Sequence, residues 1–351
     1  MTLKNILSIL SFLFIAVACS MEDDNLPSSD TKASVEAQEV LVNVNLAMNG
    51  ISTKVAASDD GDVAPAGKES VVSSAVVALV NAEGDIMMIR NAKGQIDSDN
   101  TLKDVKFLTK VADGVKAIAI VNTEKANDYL NCKTLKDLNS VLETTANQEY
   151  LVKVGEKNDI FKDYDGGKTS TKDLNILNIE IPVTQLAARI DLMGIKYKKD
   201  NESSEVNSVK IISAQLMNVN NNSHVYNIKD KTMSGLEATN IPSAATLKKM
   251  DISLTEGVWA GNDPDIEKVG NSLYTDYSYT NTTENPVKMQ ITYSVNNEEA
   301  KTVDVTIDNG TVKAGNLYRL YIGMKVKNNE IKTEVVCYTK DWIKENINIE
   351  I

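Results

Sequence analysis

The sequence predicts an all-β protein with minor helix, built as two β-sandwich domains in tandem. Short segments in which apolar and polar residues alternate recur along most of the 351-residue chain, and this is the pattern of half-buried strands. Clusters of turn-forming residues separate these segments, and one segment stands out by its helical spacing. The length suffices for two domains that each bury a core. Many short strands with little helix are typical of β-sandwiches.

The N-terminus has the parts of a lipoprotein signal peptide, which we assign to residues 1–18. Lys4 precedes an apolar run that is free of charge up to Met21 and shorter than the roughly 20 residues that span a bilayer. The run ends in Ala-Val-Ala followed by Cys19, which resembles a bacterial lipobox whose cysteine becomes the acylated first residue. The alternative is a plain secretory signal followed by a coincidental cysteine.

The residues after Cys19 predict export to the cell surface. No aspartate adjoins the cysteine, so the inner-membrane retention signal is absent, and the Glu-Asp-Asp cluster resembles the export tag of some Gram-negative anaerobes. We therefore expect a surface-exposed lipoprotein of the outer membrane that contacts the membrane only through the lipid on Cys19. The polar stretch that continues to about Glu36 is typical of a flexible tether.

The first predicted strand covers residues 39–48. Its apolar face consists of Val40, Val42, Val44, Leu46 and Met48, and its other face carries Asn43 and Asn45. A polar, turn-rich segment follows up to residue 70. Further strand-like runs lie at 71–80, 85–90, 105–111 and 115–121.

A short helix is predicted after these strands. Thr134 with Asp137 three residues later resembles a capping box, and Leu135, Leu138, Val141 and Leu142 share one face. From residue 174 onward the chain alternates again, in segments 174–183, 186–197, 206–219, 287–295, 301–307, 316–326 and 331–339. We place the domain boundary near Pro182, which gives domains of residues 55–182 and 183–351.

Composition argues against an enzyme. An excess of acidic residues, 49 against 37 basic ones, argues against nucleic acid and anionic membrane surfaces as partners. One histidine, three cysteines and three arginines offer little for histidine-based catalysis or a thiolate metal site. Asp165-Gly-Gly-Lys-Thr169 resembles a phosphate-binding loop, but Lys162 stands where that motif needs glycine. We predict no catalytic site, no cofactor and no metal.

Aromatic and cysteine residues favour packing over binding. Trp259 with Tyr274, Tyr277 and Tyr279 could stack on a sugar, but near-alternate spacing favours packing at an edge strand. Cys132 and Cys337 could form a disulfide, although two buried free thiols are the simpler interpretation.

Several segments together resemble the fimbrillin family, the major subunits of type V pili in anaerobic Gram-negative bacteria. They are the lipobox, the strand at 39–48, Ala117-Ile-Ala-Ile-Val-Asn122-Thr123, Thr134-Leu-Lys-Asp-Leu138, Val183-Thr-Gln-Leu-Ala-Ala-Arg189-Ile-Asp-Leu192, Gly315-Asn-Leu-Tyr318 and Val336-Cys337-Tyr-Thr-Lys-Asp341-Trp342. The resemblance covers nearly the whole mature chain. It implies two transthyretin-like domains, a polymer of this chain with other fimbrial subunits (anchor and tip), and a receptor that the sequence does not identify.

The resemblance also implies processing by a surface trypsin-like protease behind the first strand. The matching bond is Lys54–Val55, which would make residues 19–54 a propeptide that carries the tether and the removable strand with Val40, Val42, Val44 and Leu46. The best-known members of the family have arginine at this position, whereas the first arginine of this chain is Arg90. Either a lysine-accepting protease cuts here, or the subunit stays unprocessed and serves as an anchor.

The C-terminal tail is a candidate donor strand for the place that the first strand would vacate. Ile347, Ile349 and Ile351 alternate with polar residues up to the end of the sequence, and an apolar strand of this kind can insert into an open sheet. The alternative is an ordinary last strand. At the level of function, the alternatives to a polymerising subunit are a surface-exposed glycan-binding lipoprotein and a non-polymerising anchor or tip subunit.

Overall fold

The computed structural model describes residues 39–48, 69, 71–92, 105–144, 146, 149–165, 175–201, 205–227, 229–237, 242–265, 271–282, 284–327 and 330–341. The predicted signal peptide, the lipidation site Cys19, the cleavage site Lys54–Val55 and the donor residues Ile347, Ile349 and Ile351 lie outside these residues. No helix within the described ranges is long and apolar enough to cross a membrane.

The first half of the described chain contains seven strands and two short helices. These are β1 (Glu39–Met48), β2 (Ala75–Val80), β3 (Ile86–Asn91), β4 (Val105–Lys110), β5 (Lys116–Val121), α1 (Ala126–Leu130), α2 (Leu135–Ser140), β6 (Lys153–Lys157) and β7 (Asn175–Gln185).

The second half is built from strands and one 3-10 turn at Asp308–Gly310. The strands are β8 (Ala188–Lys199), β9 (Val209–Met217), β10 (Val219–Asn220), β11 (Ser223–His224), β12 (Leu236–Glu237), β13 (Pro242–Ser243), β14 (Lys248–Leu254), β15 (Ala260–Gly261), β16 (Tyr274–Ser278), β17 (Lys288–Val295), β18 (Lys301–Thr306), β19 (Asn316–Lys327) and β20 (Glu330–Asp341).

The seven strands of the first half form one sheet in the order β3-β2-β5-β6-β7-β1-β4. Strands from both ends of this sheet contribute every second side chain to one apolar core. In this core Val77 of β2 belongs to the same cluster as Val42 of β1 and Phe107 of β4. The opposite face of β2 and β5 packs against α1 and α2 through Tyr129 and Leu138. Both faces of the sheet therefore bury apolar side chains.

The second half is built around a sandwich of two larger sheets, and β10-β13 and β11-β12 form two further two-stranded sheets. Strands β14-β9-β17-β18 form one sheet, and β15-β8-β19-β20 form the other, with β16 also paired to β8. The apolar core between them includes Ile211, Ile291 and Leu320, all fully buried. The predicted all-β fold with minor helix is confirmed. β7 continues past the predicted boundary at residue 182 to Gln185, and β8 then begins the second half; the boundary itself stays a prediction.

The predicted helix cap at Thr134 is present. The Thr134 hydroxyl accepts a hydrogen bond from the Asp137 amide at 3.1 Å, and the Asp137 carboxylate accepts one from the Thr134 amide at 2.9 Å. A further hydrogen bond from the Lys133 amide is the largest cause that lowers the pKa of the exposed Asp137. The cap satisfies amides that the first turn leaves without partners, and it orients buried Leu135 and Leu138.

Candidate strand-exchange site

β1 occupies an interior position in the first sheet. It pairs in parallel with β7 from Val40 to Met48, and antiparallel with β4 from Glu39 to Val44. Its inward side chains Val40, Val42 and Val44 are fully buried. The alternation at residues 39–48 therefore predicted the strand and its buried face correctly. Its parallel partner is β7, in which Asn178 lies opposite Asn43 although the two are 135 residues apart in the chain. Alternation could not predict this partner.

The outer face of β1 is polar or partly exposed. The side-chain Nδ2 of Asn43 donates a hydrogen bond to the side-chain Oδ1 of Asn178 at 2.9 Å. This bond links β1 to β7 in addition to their main-chain hydrogen bonds. Leu41 lies in register between Leu108 of β4 and Ile176 of β7, which are 46% and 58% exposed. β1 thus has one face in the core and one face outward, so a strand that replaced it would need the same alternation.

Loss of β1 would open a gap with two unpaired walls. Main-chain groups of β7 and of β4 that now bond β1 would lose their partners, and the apolar side chains around Val40, Val42 and Val44 would face water. Unpaired strand edges of this kind accept a strand from another chain. The geometry can therefore support strand replacement, whatever removes β1.

A buried ion pair fixes Glu69, which lies in the segment that connects β1 to β2. Glu69 is fully buried, and both of its carboxylate oxygens accept hydrogen bonds from Nη1 of Arg189 at 3.1 Å. The Tyr277 hydroxyl donates to the same carboxylate at 2.6 Å, and the Gln185 amide donates to the Glu69 main-chain oxygen at 2.9 Å. Residue 69, which follows the predicted propeptide, is therefore anchored to the second half of the molecule.

Arg189 sits between two carboxylates. Its Nε donates to Asp191 at 3.0 Å, opposite the contact with Glu69. Burial alone would lower the pKa of the guanidinium, but the negative charges of Asp191 and Glu69 outweigh burial, and the pKa is raised. Sequence reasoning missed this anchor because Glu69 lies in a polar segment that has no strand pattern.

A second contact between the halves surrounds Glu143. Its main chain exchanges two hydrogen bonds with Ser223, at 2.9 and 3.0 Å. Its carboxylate accepts hydrogen bonds from Thr123 at 2.6 Å and from Tyr129 at 2.9 Å. Burial raises the pKa of Glu143, although these hydrogen bonds oppose the shift.

The tyrosine cluster forms no exposed sugar platform. Tyr274, Tyr277 and Tyr279 are 1–3% exposed, and the first two lie on β16, which pairs with β8. Trp259 instead packs edge-to-face on Tyr321, with the Lys196 ammonium over its ring. The prediction that this cluster serves packing is confirmed for the three tyrosines. Cys132 is a buried free thiol, as predicted.

The last described strand is a regular sheet member. β20 pairs with β19 along its whole length, from Glu330–Lys327 to Asp341–Asn316, and lies at the end of the described sheet order. The structure thus describes the strand predicted to leave, and the tail predicted to replace it begins beyond β20.

No group of three or more potential metal ligands occurs in the described part of the chain.

The architecture defines a two-part, all-β chain in which the first strand is enclosed by its neighbours. No protein-family model matches the chain. No curated protein matches it in sequence either.

Solved structures do share its fold. A candidate cell adhesion protein from Parabacteroides distasonis ATCC 8503 aligns at a TM-score of 0.57 and 14% identity, over 86% of this chain and 97% of its own. A candidate cell adhesion protein from Bacteroides eggerthii DSM 20697 aligns at 0.54 and 13%, over 88% and 98%. A fimbrilin from Porphyromonas gingivalis W83 aligns at 0.54 and 12%, over 87% and 98%. The predicted resemblance to the fimbrillin family is confirmed in the fold.

Proposed function

We propose that this chain is a structural subunit of a cell-surface fimbrium and that it polymerises by donor-strand exchange. The observation that carries the proposal is the interior position of β1, whose removal would leave a strand-shaped gap between β7 and β4. The shared fold with a fimbrilin and with candidate cell adhesion proteins supports the same role. Tyr274, Tyr277 and Tyr279 are buried and so offer no stacking surface to a glycan, which argues against the alternative of a glycan-binding lipoprotein.

The proposed sequence of events begins at the outer membrane. The precursor is acylated on Cys19, and a surface protease cuts at Lys54–Val55. Residues 39–48 then depart, while Glu69 keeps the new N-terminal segment tied to Arg189. The tail of another subunit enters the gap, with Ile347, Ile349 and Ile351 in the places of alternate valines. Burial of three isoleucines contributes about 5–9 kcal/mol before the cost of ordering the tail.

Processing at Lys54 is the direct test. We expect subunits in purified fibres to begin at Val55, and we expect Lys54→Ala to leave the precursor intact and unpolymerised. Lys54→Arg is the matched control, because it keeps a basic residue at the cut and should restore fibres. Mass spectrometry of the fibre subunits gives the answer. Wild-type fibres in which every subunit begins at Cys19 would contradict the proposal.

The lysine at this position also favours a second role. A protease strictly specific for arginine would leave the subunit intact, and an unprocessed subunit would cap the fibre at the membrane as an anchor. The same mass spectrometry separates the roles, because an anchor retains residues 19–54 and occurs once per fibre, whereas a shaft subunit lacks them and repeats.

Lipidation can be tested separately. We expect Cys19→Ala to abolish incorporation of a labelled fatty-acid analogue and to stop surface assembly, because the thiol is the acylation site. The folded domains should stay unchanged, since Cys19 precedes β1 by a polar tether. Equal label on the wild type and the variant would exclude the lipoprotein assignment.

A further inference from the structure

A buried lysine and a buried asparagine share the same two hydrogen-bond acceptors. Lys153, the first residue of β6, is 1% exposed, and its Nζ donates to the main-chain oxygens of Val71 and Leu151, each at 3.1 Å. The Asn122 Nδ2 donates to the same two oxygens at 2.7 and 3.1 Å. One pair of carbonyl groups therefore holds the amine of Lys153 beside the amide nitrogen of Asn122.

The carbonyl of the Asn122 side chain is polarised. Its Oδ1 accepts hydrogen bonds from the Ser73 amide at 2.8 Å and from the Ser73 hydroxyl at 3.2 Å. Two donors on one carbonyl oxygen are the arrangement that stabilises a tetrahedral oxyanion. Asn122 is 5% exposed and has a φ of 61°, in the left-handed region that asparagine tolerates. Its side chain is therefore held in place by both backbone and partners.

The contacts of Lys153 suit a neutral amine. A neutral amine has two N–H groups and one lone pair, and the two carbonyl oxygens account for both N–H groups. Desolvation by burial lowers the pKa of Lys153 to about 7, although the negative charge of Glu69 acts to raise it. A substantial fraction of Lys153 is then uncharged at neutral pH, as a nucleophilic lysine requires.

We propose that Lys153 and Asn122 form an intramolecular isopeptide bond. Nζ of Lys153 attacks Cγ of Asn122, and the Ser73 amide and hydroxyl stabilise the negative charge on Oδ1. The Cγ–Nδ2 bond breaks, one proton passes from Nζ to Nδ2, and ammonia leaves. Atoms and charges balance without an oxidant, reductant or cofactor. The shared acceptors hold the two groups side by side, which lowers the entropic cost of bringing them together.

The bond would join the end of β5 to the start of β6. It would close the segment of residues 122–153, which contains α1 and α2, into a covalent loop. A covalent loop restricts the unfolded chain and so stabilises the folded one, in the manner of a disulfide. This inference is independent of strand exchange, because none of its residues lies on β1 or in the tail.

Mass spectrometry of the purified full chain tests the bond. We expect a mass lower than the sequence mass by one ammonia, and a tryptic species that links residues 117–125 to residues 137–157. Asn-Gly pairs at 49–50 and 309–310 can also lose ammonia by forming succinimides, so the linked peptide is the decisive readout.

Two lysine variants complete the test. Lys153→Arg should show no linked species, because a guanidinium stays charged and is not a nucleophile at neutral pH. Lys157→Arg, at an exposed position of the same strand, should keep the linked species in full. Separate, unlinked peptides from the folded wild-type chain, or a mass deficit that maps to an Asn-Gly pair alone, would overturn the proposal.

Discussion

Replacement of Arg189 by methionine should destabilise the chain by about 3–5 kcal/mol, because it removes one partner of a buried ion pair. Glu69 and Asp191, both fully buried, would lose their cation and keep the cost of their desolvation. The loss should appear as a lower midpoint of urea unfolding. We expect the variant Arg189→Met with Glu69→Gln to lose less than the sum of the two single changes, because the two groups interact directly.

An exposed ion pair of the same sheet sandwich provides the control. Lys210 pairs with Asp251, and their side chains are 40% and 81% exposed. Lys210→Met should therefore cost less than about 1 kcal/mol. If Arg189→Met cost no more than Lys210→Met, the anchor between Glu69 and the second half would contribute nothing to stability.

The position of this anchor in the chain bears on the proposed strand exchange. Glu69 is the first described residue after β1. Arg189 and Tyr277 tie it to the second half, and Gln185 ties it to the end of β7. A chain that loses β1 therefore still has its remaining N-terminal segment fixed at this point. β2 would then keep its register with β5 while the gap beside β7 is open.

Local sequence patterns predicted those parts of the fold that local physics determines. Alternation at residues 39–48 identified β1 and its buried valines, and the Thr134–Asp137 pair identified the start of α2. In both cases the signal lies within one element, because side-chain period and helix capping depend on residues a few positions apart.

Partners between distant segments could not be predicted in the same way. Alternation shows which side chains of β1 share a face but not that β7 and β4 flank it, since many strands of this chain have the same period. The burial of Glu69 depends on Arg189, 120 residues away, and the proximity of Lys153 to Asn122 depends on the register of β5 with β6. No local pattern marks any of these residues.

The pairing of β19 with β20 is complete before the tail begins. Each residue of β19 from Asn316 to Lys327 has a partner on β20 between Glu330 and Asp341. In the proposed exchange, the tail acts in a neighbouring subunit, where its alternate isoleucines would meet the gap left by β1.

Truncation after Trp342 should therefore give a folded, secreted subunit that no longer polymerises. The fold should persist because the pairing of β19 with β20 is intact, whereas the donor and its buried isoleucines are lost.

Two point variants refine the test. Ile349→Asp places a charge on the inserted face and should abolish fibres, whereas Asn348→Asp changes the outward face and should leave them. Electron microscopy of the cell surface and size-exclusion chromatography of the released subunit measure both properties. Normal fibres from the truncated chain would show that another segment fills the gap.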